Sequence, residues 1–193
     1  MKKLLFMGAF ALFGVANAQI QKGNVMVGGN LLGADFGLNS GAGYSFAIQP
    51  KAAWFIKDNV AVGGYVNLGF SGAKDAPTTF IYNVGALGRY YLSPGEQGVD
   101  TFLKHGRWFL EANAGIGGTS ISKGGASSNG LNFGFGPGYA YFLTPHVGLE
   151  GLLKYDANAG FGNVGYTHRL TFGLGFQVYL PSSKAKDVIK REQ

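Results

Sequence analysis

A strict alternation of apolar and polar residues near the end of the chain is the feature that most constrains the fold. Between His168 and Leu180, every second position from Leu170 onward is Leu, Phe or Val, and the intervening positions hold Arg, Thr, Gly, Gln and Tyr. A repeat of two residues is the period of a β-strand whose two faces meet different surroundings. The segment is longer than an ordinary globular strand of about five or six residues. It matches a tilted membrane strand of about 9–11 residues together with its ends.

The same alternation recurs along the chain from Gly23 onward. It is found in seven further segments, at residues 25–31, 46–54, 60–70, 80–92, 108–116, 131–143 and 147–155. The pattern predicts an all-β fold, an eight-stranded antiparallel up-and-down transmembrane β-barrel. An even number of strands places both termini of the chain on one side of the membrane.

The lengths of the connections predict which end of the barrel faces the periplasm. Residues 57–59 and 144–146 form short turns, whereas four other connections are longer and rich in Gly, Ser, Asn and Ala: 34–43, 71–79, 118–130 and 156–166. Outer-membrane barrels keep short turns in the periplasm and longer loops outside, so we expect both termini to be periplasmic. The connection 93–107 is an exception, because it is long but falls on the periplasmic side.

The composition favours a membrane barrel over a soluble domain. The chain has 34 Gly and 15% aromatic residues but only 13% charged residues, about half of the usual ~25%. After residue 18 no apolar run approaches the ~20 residues of a transmembrane helix. Closed barrels are the other structure that satisfies the backbone inside lipid.

The same composition narrows the chemistry that the chain could perform. With no cysteine there is no disulfide, thiolate or thiol metal site. Three histidines without ligand spacing predict no metal or other cofactor. The net charge is +6, and 6 − 2 = +4 remains when Lys2 and Lys3 are left out. Such a small positive charge predicts no nucleic-acid partner.

The first eighteen residues have the features of a secretory signal peptide. Lys2 and Lys3 precede an apolar run over residues 4–15, and Ala16 and Ala18 flank a small-x-small cleavage site. Cleavage there would make Gln19 the mature N-terminus. We therefore divide the chain into a signal peptide (1–18), an outer-membrane barrel (19–180) and a basic periplasmic tail (181–193).

If the apolar faces contact lipid, the opposite faces fill the barrel. A charge aimed at the middle of the bilayer would cost about 2–4 kcal/mol, and this assignment places none there. Charges of both signs point inward and can pair, as buried charges must. We predict an interior network that plugs the barrel; an acid–base cluster and a selectivity ring are the alternatives. Its predicted members are Lys51, Arg89, Glu111, Glu150, Lys154 and Arg169.

Aromatic residues predict the levels of the two membrane interfaces, where amphipathic rings are favoured. Tyr155 falls near the outer interface, and four residues fall near the periplasmic one: Trp54, Tyr90, Trp108 and Tyr141. Pro50 and Pro137 lie within predicted strands, where a missing N–H predicts a bulge or a break in the ladder.

Several segments resemble the small outer-membrane barrels of OmpA/OmpX-type architecture, the outer membrane protein beta-barrel domain. The resemblance is carried by residues 50–64, by Gly88-Arg89-Tyr90-Tyr91-Leu92 and by the final strand. Within that strand, Thr171, Gly173, Phe176 and Val178 resemble the signal read by the barrel-assembly machinery, although the signal ends here in Val rather than an aromatic residue. The resemblance implies an outer-membrane location, with outer-membrane lipid and the export and barrel-assembly machinery as partners.

Three functions remain open at this stage. We favour a non-enzymatic barrel with a structural or surface-interaction role, whose loops could bind an extracellular partner. A narrow porin for small solutes is disfavoured, because the side chains of an eight-stranded barrel fill its interior. A lipid-modifying enzyme centred on His168 is the second alternative, but no Ser and carboxylate stand at a suitable spacing. His105 and His146 fall in periplasmic connections.

Overall fold

The alternating segments form the strands of a barrel in the computed structural model, which describes residues 20–37, 43–93, 106–122, 127–161 and 165–181. The eight strands are β1 (Val25–Phe36), β2 (Gly43–Lys57), β3 (Val60–Ala73), β4 (Thr79–Tyr91), β5 (Gly106–Ile121), β6 (Ser128–Thr144), β7 (Val147–Gly160) and β8 (Tyr166–Leu180). Each strand pairs antiparallel with its neighbour in sequence, and β8 pairs with β1 to close the barrel. The predicted eight-stranded antiparallel barrel is confirmed.

The two ends of the barrel differ in their connections. At one end, the turn end, lie the start of β1, the end of β8 and the two-residue turns at 58–59 and 145–146. The long connection between β4 and β5 is also at this end. The opposite end, the loop end, carries the connections 37–42, 74–78, 122–127 and 161–165.

The strands reach further toward the loop end than the sequence predicted. The connection predicted over 118–130 shrinks to 122–127, because Thr119 still pairs with Ser128 across β5 and β6. Likewise, β7 continues to Gly160, inside the connection predicted over 156–166. Ladder hydrogen bonds use backbone groups alone, so residues typical of loops extend these strands.

The hairpins β2–β3 and β6–β7 share the same construction. Each has a register shift just before its turn, between Phe55 and Lys57 in one and between Phe142 and Thr144 in the other. Asn59 completes the first turn at φ 66°, in the left-handed region that asparagine tolerates better than most residues. The sequence offset that separates the two turns also separates Pro50 from Pro137.

Both prolines interrupt a ladder, as the sequence predicted. In β2–β3 the pair Ile48–Leu68 is followed by Lys51–Tyr65, so residues 49 and 50 have no partner on β3. In β6–β7 the pair Phe135–Tyr155 is followed by Gly138–Leu152. The register is unchanged across each gap. The missing N–H of proline therefore breaks the ladder locally without a bulge.

Burial follows the predicted faces. On β8, Leu170 and Leu174 are 68% and 61% exposed, whereas Gln177 and Tyr179 are almost wholly buried in the lumen. The exterior is thus apolar and the interior mixed, the reverse of a soluble protein. Within the described residues, no helix is long and apolar enough to cross a membrane.

Several predictions concern residues outside the described ranges. They are the signal peptide with Ala16, Ala18 and Gln19, the tail after residue 181, and His105. Most of the long β4–β5 connection, residues 94–105, also lies outside them.

Candidate functional site

The lumen is filled by three layers of side chains, and the layer nearest the turn end is apolar and aromatic. The rings of Tyr91 and Tyr179 both pack against Phe55, with ring centroids 5.9 and 6.3 Å away. The segment before β1 contributes Ile20, whose carbonyl accepts a hydrogen bond of 2.8 Å from Asn59 N in the β2–β3 turn. This apolar layer consists of Ile20, Met26, Phe55, Tyr91, Phe109, Phe142 and Tyr179, and all of these side chains are buried.

A glycine makes room for one of these rings. The ring of Phe109 lies over Gly138 on the neighbouring strand, and a Cβ at that position would collide with it. Glycine at 138 therefore lets a large ring lie flat against the barrel wall.

Above the apolar layer, four charged side chains form a closed ring across the lumen. This charge ring consists of Lys51, Arg89, Glu111 and Glu150. Lys51 Nζ lies 3.0 Å from Glu111 Oε2 and 3.1 Å from Glu150 Oε1. Arg89 Nη1 lies 2.6 Å from Glu150 Oε2, and the same guanidinium binds Glu111. Each cation thus contacts both carboxylates, and the four formal charges sum to zero.

Neutral groups complete the surroundings of the ring. Asn30 and Gln177 donate hydrogen bonds of 3.0 and 2.9 Å to Glu150 Oε1. Arg89 Nη1 donates to the hydroxyl of Tyr91 at 3.0 Å, and the guanidinium lies 3.9 Å from the centroid of the Phe109 ring. Buried ions are tolerated only when they are paired and hydrogen-bonded in this way. The charge ring therefore joins β2, β4, β5 and β7 across the lumen through paired charges.

The third layer is a network of amides around one phenol. Tyr65 is at its centre: its hydroxyl lies 2.9 Å from Asn83 Oδ1 and 3.0 Å from Asn132 Oδ1, and it accepts a hydrogen bond of 2.9 Å from Asn113 Nδ2. Asn132 Nδ2 in turn donates to Asn158 Oδ1 at 2.9 Å. We call Tyr65, Asn83, Asn113, Asn132 and Asn158 the amide layer.

Two of the six residues predicted for the charged network lie elsewhere. Lys154 forms a separate ion pair with Asp156, at 3.2 Å between Nζ and Oδ1. Arg169 is exposed, lies nearer the loop end and makes no ion pair with a described residue. Lys154 and Arg169 thus lie outside the charge ring that the other four predicted residues form. The sequence analysis named neither Asp156 nor Tyr65 as an interior residue. Their inward parity on β7 and β3 is the signal that could have identified them.

A cavity of about 400 Å³ lies above the amide layer, toward the loop end. Asn83, Asn132 and Asn158 from the amide layer line its floor, and Asp156 and Arg169 line its side. The amide layer and the charge ring lie between this cavity and the turn end.

The five aromatic residues predicted for the girdles are all exposed. Four of them are on the outer face near the turn end: Trp54, Tyr90, Trp108 and Tyr141. Tyr155 lies on the loop-end half of β7, deeper than the strand ends. Its hydroxyl is 2.6 Å from His168 Nδ1 on β8.

Two observations concern the enzymatic alternative and a possible metal site. His168 has a phenol as its described hydrogen-bond partner, not a serine or a carboxylate. Within the described ranges no three His, Asp or Glu side chains are grouped so that they could hold a metal ion.

Comparisons with known proteins give similarity in fold alone. No protein-family model matches the sequence, and no curated protein matches it. Among solved structures, Neisserial surface protein A (NspA) is 22% identical, with 82% of this chain and 96% of that chain covered and a TM-score of 0.48. The outer membrane protein OprG from Pseudomonas aeruginosa is 11% identical, with 83% and 97% covered and a TM-score of 0.49. The N-terminal β-barrel domain of Pseudomonas aeruginosa OprF is 14% identical, with 82% and 98% covered and a TM-score of 0.48.

Proposed function

We propose that the chain is an integral outer-membrane protein, with the loop end outside the cell and both termini in the periplasm. Its role is structural or one of surface interaction, and its lumen does not conduct solutes. The proposal rests on the closed charge ring inside an apolar exterior.

The exterior supports insertion in a bilayer. Large apolar side chains on the outer faces are widely exposed: Phe135 is 63% and Ile116 57% exposed. In the described strands, the charged residues whose side chains are described either point into the lumen or lie at a strand end, as Lys57 does. Each charge kept from mid-bilayer avoids about 2–4 kcal/mol. Such a surface would aggregate in water but is stable in lipid.

The lumen supports a closed barrel rather than a porin. The side chains of Lys51, Arg89 and Glu150 have no exposed surface, and that of Glu111 has 2%. The apolar layer closes the same lumen a second time, between the ring and the turn end. Eight strands leave an interior about as wide as its own side chains can fill.

Conductance in planar bilayers tests the closed lumen. We expect purified, folded protein in 1 M KCl to give no discrete current steps, while a general porin reconstituted in the same way does. Folding of the sample is checked by its altered electrophoretic mobility in SDS without boiling. Reproducible steps of one size from such a sample would overturn the proposal in favour of the narrow porin.

Export through the signal peptide is part of the proposal and has its own test. Removal of residues 1–18 would leave Gln19 as the first residue of the protein isolated from outer membranes. A mature N-terminus at Met1 would contradict this assignment.

An unchanged lipid profile in a strain lacking the protein is expected for a non-enzymatic barrel.

A further inference from the structure

The cavity at the loop end plays no part in closing the barrel, and both polar and apolar side chains line it. We propose that this cavity binds a neutral saccharide, either a free sugar of one or two rings or the end of a longer glycan. The inference rests on the proposed function, because it requires the loop end to face the outside, and it names the class of molecule that the surface recognises.

The amide side chains are the first reason for a saccharide. Asn67, Asn83, Asn132 and Asn158 all line the cavity. Each amide offers donors and an acceptor in one plane, and a sugar hydroxyl both donates and accepts. The Oδ1 atom of Asn67 is buried and accepts no hydrogen bond from a described residue. Rotation of the Asn67 amide toward the cavity, which it lines, would bring this acceptor within reach of a ligand hydroxyl.

The charges of the lining favour a neutral ligand. The described lining has one acidic and one basic residue, Asp156 and Arg169, and Asp156 is also paired with Lys154. The cavity therefore has no cluster of like charges that would select an ion. Asp156 and Arg169 are direct partners in the β7–β8 register, so their Cβ atoms lie about 4.5–5.5 Å apart. No ion pair within 4.0 Å joins them in the described structure. A carboxylate that accepts and a guanidinium that donates, side by side, match two adjacent hydroxyls of a sugar ring.

The opposite wall supplies an apolar surface. Leu32, Ala47 and Ile81 line the cavity from β1, β2 and β4. A sugar ring has polar edges and a face of C–H groups, which such a wall could contact. The volume of about 400 Å³ is near the lower end of the range of about 300–1,000 Å³ for ligand sites, as a small ligand requires.

The amide layer closes the cavity on the side of the turn end, so the cavity is a binding site and not a passage. The hydrogen bonds of Asn132 to Tyr65, Asn113 and Asn158 tie the floor together, and the charge ring closes the lumen beneath it. A saccharide that enters from the loop end can only leave the same way. We therefore expect reversible binding without transport.

Titration of the folded protein in lipid nanodiscs tests the proposal. The probes are maltose, lactose and chitobiose, with the zwitterionic dipeptide Ala-Leu and the anion hexanoate as comparisons. Binding is followed by calorimetry and by saturation-transfer NMR of the sugar. We expect saturable binding of at least one of the three disaccharides, and weaker or no binding of the dipeptide and hexanoate.

Single substitutions test whether the saccharide binds in this cavity. The near-isosteric Asn158→Leu should weaken saccharide binding at least tenfold, because it removes a floor donor and acceptor. Thr167→Val, which removes a lining hydroxyl, should weaken it severalfold. Thr79→Val is the matched control, since Thr79 is at the same end of the barrel but is not among the lining residues, and it should leave the affinity unchanged.

A second experiment distinguishes a free sugar from a sugar attached to a lipid. Lactose is offered free and as lactosylceramide in the nanodisc, and binding of either form supports the proposal. No saturable binding of any sugar in either form would overturn it, as would equal affinity in Asn158→Leu or a preference for the dipeptide or hexanoate. Mobility without boiling and absence of conductance are measured on the same samples, so failure of the saccharide site is distinguished from failure of the membrane barrel.

Discussion

Arg89 Nη1 lies 2.6 Å from Glu150 Oε2 across the lumen, and neither side chain exposes any surface to solvent. Because Glu150 also binds Lys51, its replacement by Gln leaves two buried cations facing one carboxylate. We expect Glu150→Gln to lower the free energy of unfolding by about 3–5 kcal/mol. Urea unfolding in lipid vesicles, followed by tryptophan fluorescence, measures this.

A double-mutant cycle separates the pairing of Arg89 and Glu150 from a general loss of packing. The variant Arg89→Gln/Glu150→Gln removes one charge of each sign, so we expect it to lose less stability than the sum of the two single variants. Lys57→Gln, on an exposed lysine, should stay within about 0.5 kcal/mol of the native protein. Strict additivity of the two ring variants would show that the residues are not coupled.

The hydroxyl of Tyr65 holds the amide layer together. Tyr65→Phe removes one group that three asparagines contact, and buried partners left unpaired cost about 1–3 kcal/mol. We expect a loss of stability of that size in the same unfolding measurement. Tyr166→Phe is the control, because Tyr166 is 80% exposed. Equal stability of the two variants would be evidence against the network.

The ladder breaks at the prolines predict local weakness in the backbone. In micelles, the β3 amides near Val66–Asn67 that point toward β2 should exchange hydrogen faster than amides at Ala86 and Ala114, which belong to a continuous ladder. Pro50→Ala supplies an N–H that can donate to a carbonyl of β3. Because this closes the gap in the ladder, exchange of the neighbouring β3 amides should become slower. Uniform exchange in the native protein would mean that the breaks have no energetic consequence.

The two faces of the strands could be predicted from the sequence because they follow parity alone. The outward position of Leu170 and the inward position of Arg89 need no knowledge of neighbouring strands. The breaks in the ladder at the two prolines could also be predicted from the sequence, because a missing N–H breaks a ladder wherever proline lies.

The composition of the charge ring depended on information that parity does not contain. Which inward residues meet across the lumen is set by strand tilt and stagger, and these put Arg169 nearer the loop end than Glu150. The extra length of β6 and β7 was missed for another reason. Glycine, serine and asparagine resemble loop residues, but their backbone groups pair as well as those of any other residue.

The two tryptophans of the chain report the depth of the turn end in the bilayer. Trp54→Phe and Trp108→Phe each leave one tryptophan on the outer face. With brominated lipids, both should be quenched most strongly by bromines close to the headgroups, because indole rings favour that interface. Strongest quenching by bromines at the ends of the acyl chains would contradict the assignment of this end.

Cysteine labelling in cells tests the central claim, a closed barrel that spans the outer membrane. The native chain contains no cysteine, so single cysteines can replace Lys74 in a loop-end connection, Lys57 at the turn end and Met26 in the apolar layer. With a membrane-impermeant maleimide, we predict labelling of the first in intact cells, labelling of the second only after the outer membrane is permeabilised, and labelling of the third only after unfolding. Labelling of all three in intact cells, or of the Lys57 position before the Lys74 position, would contradict the account.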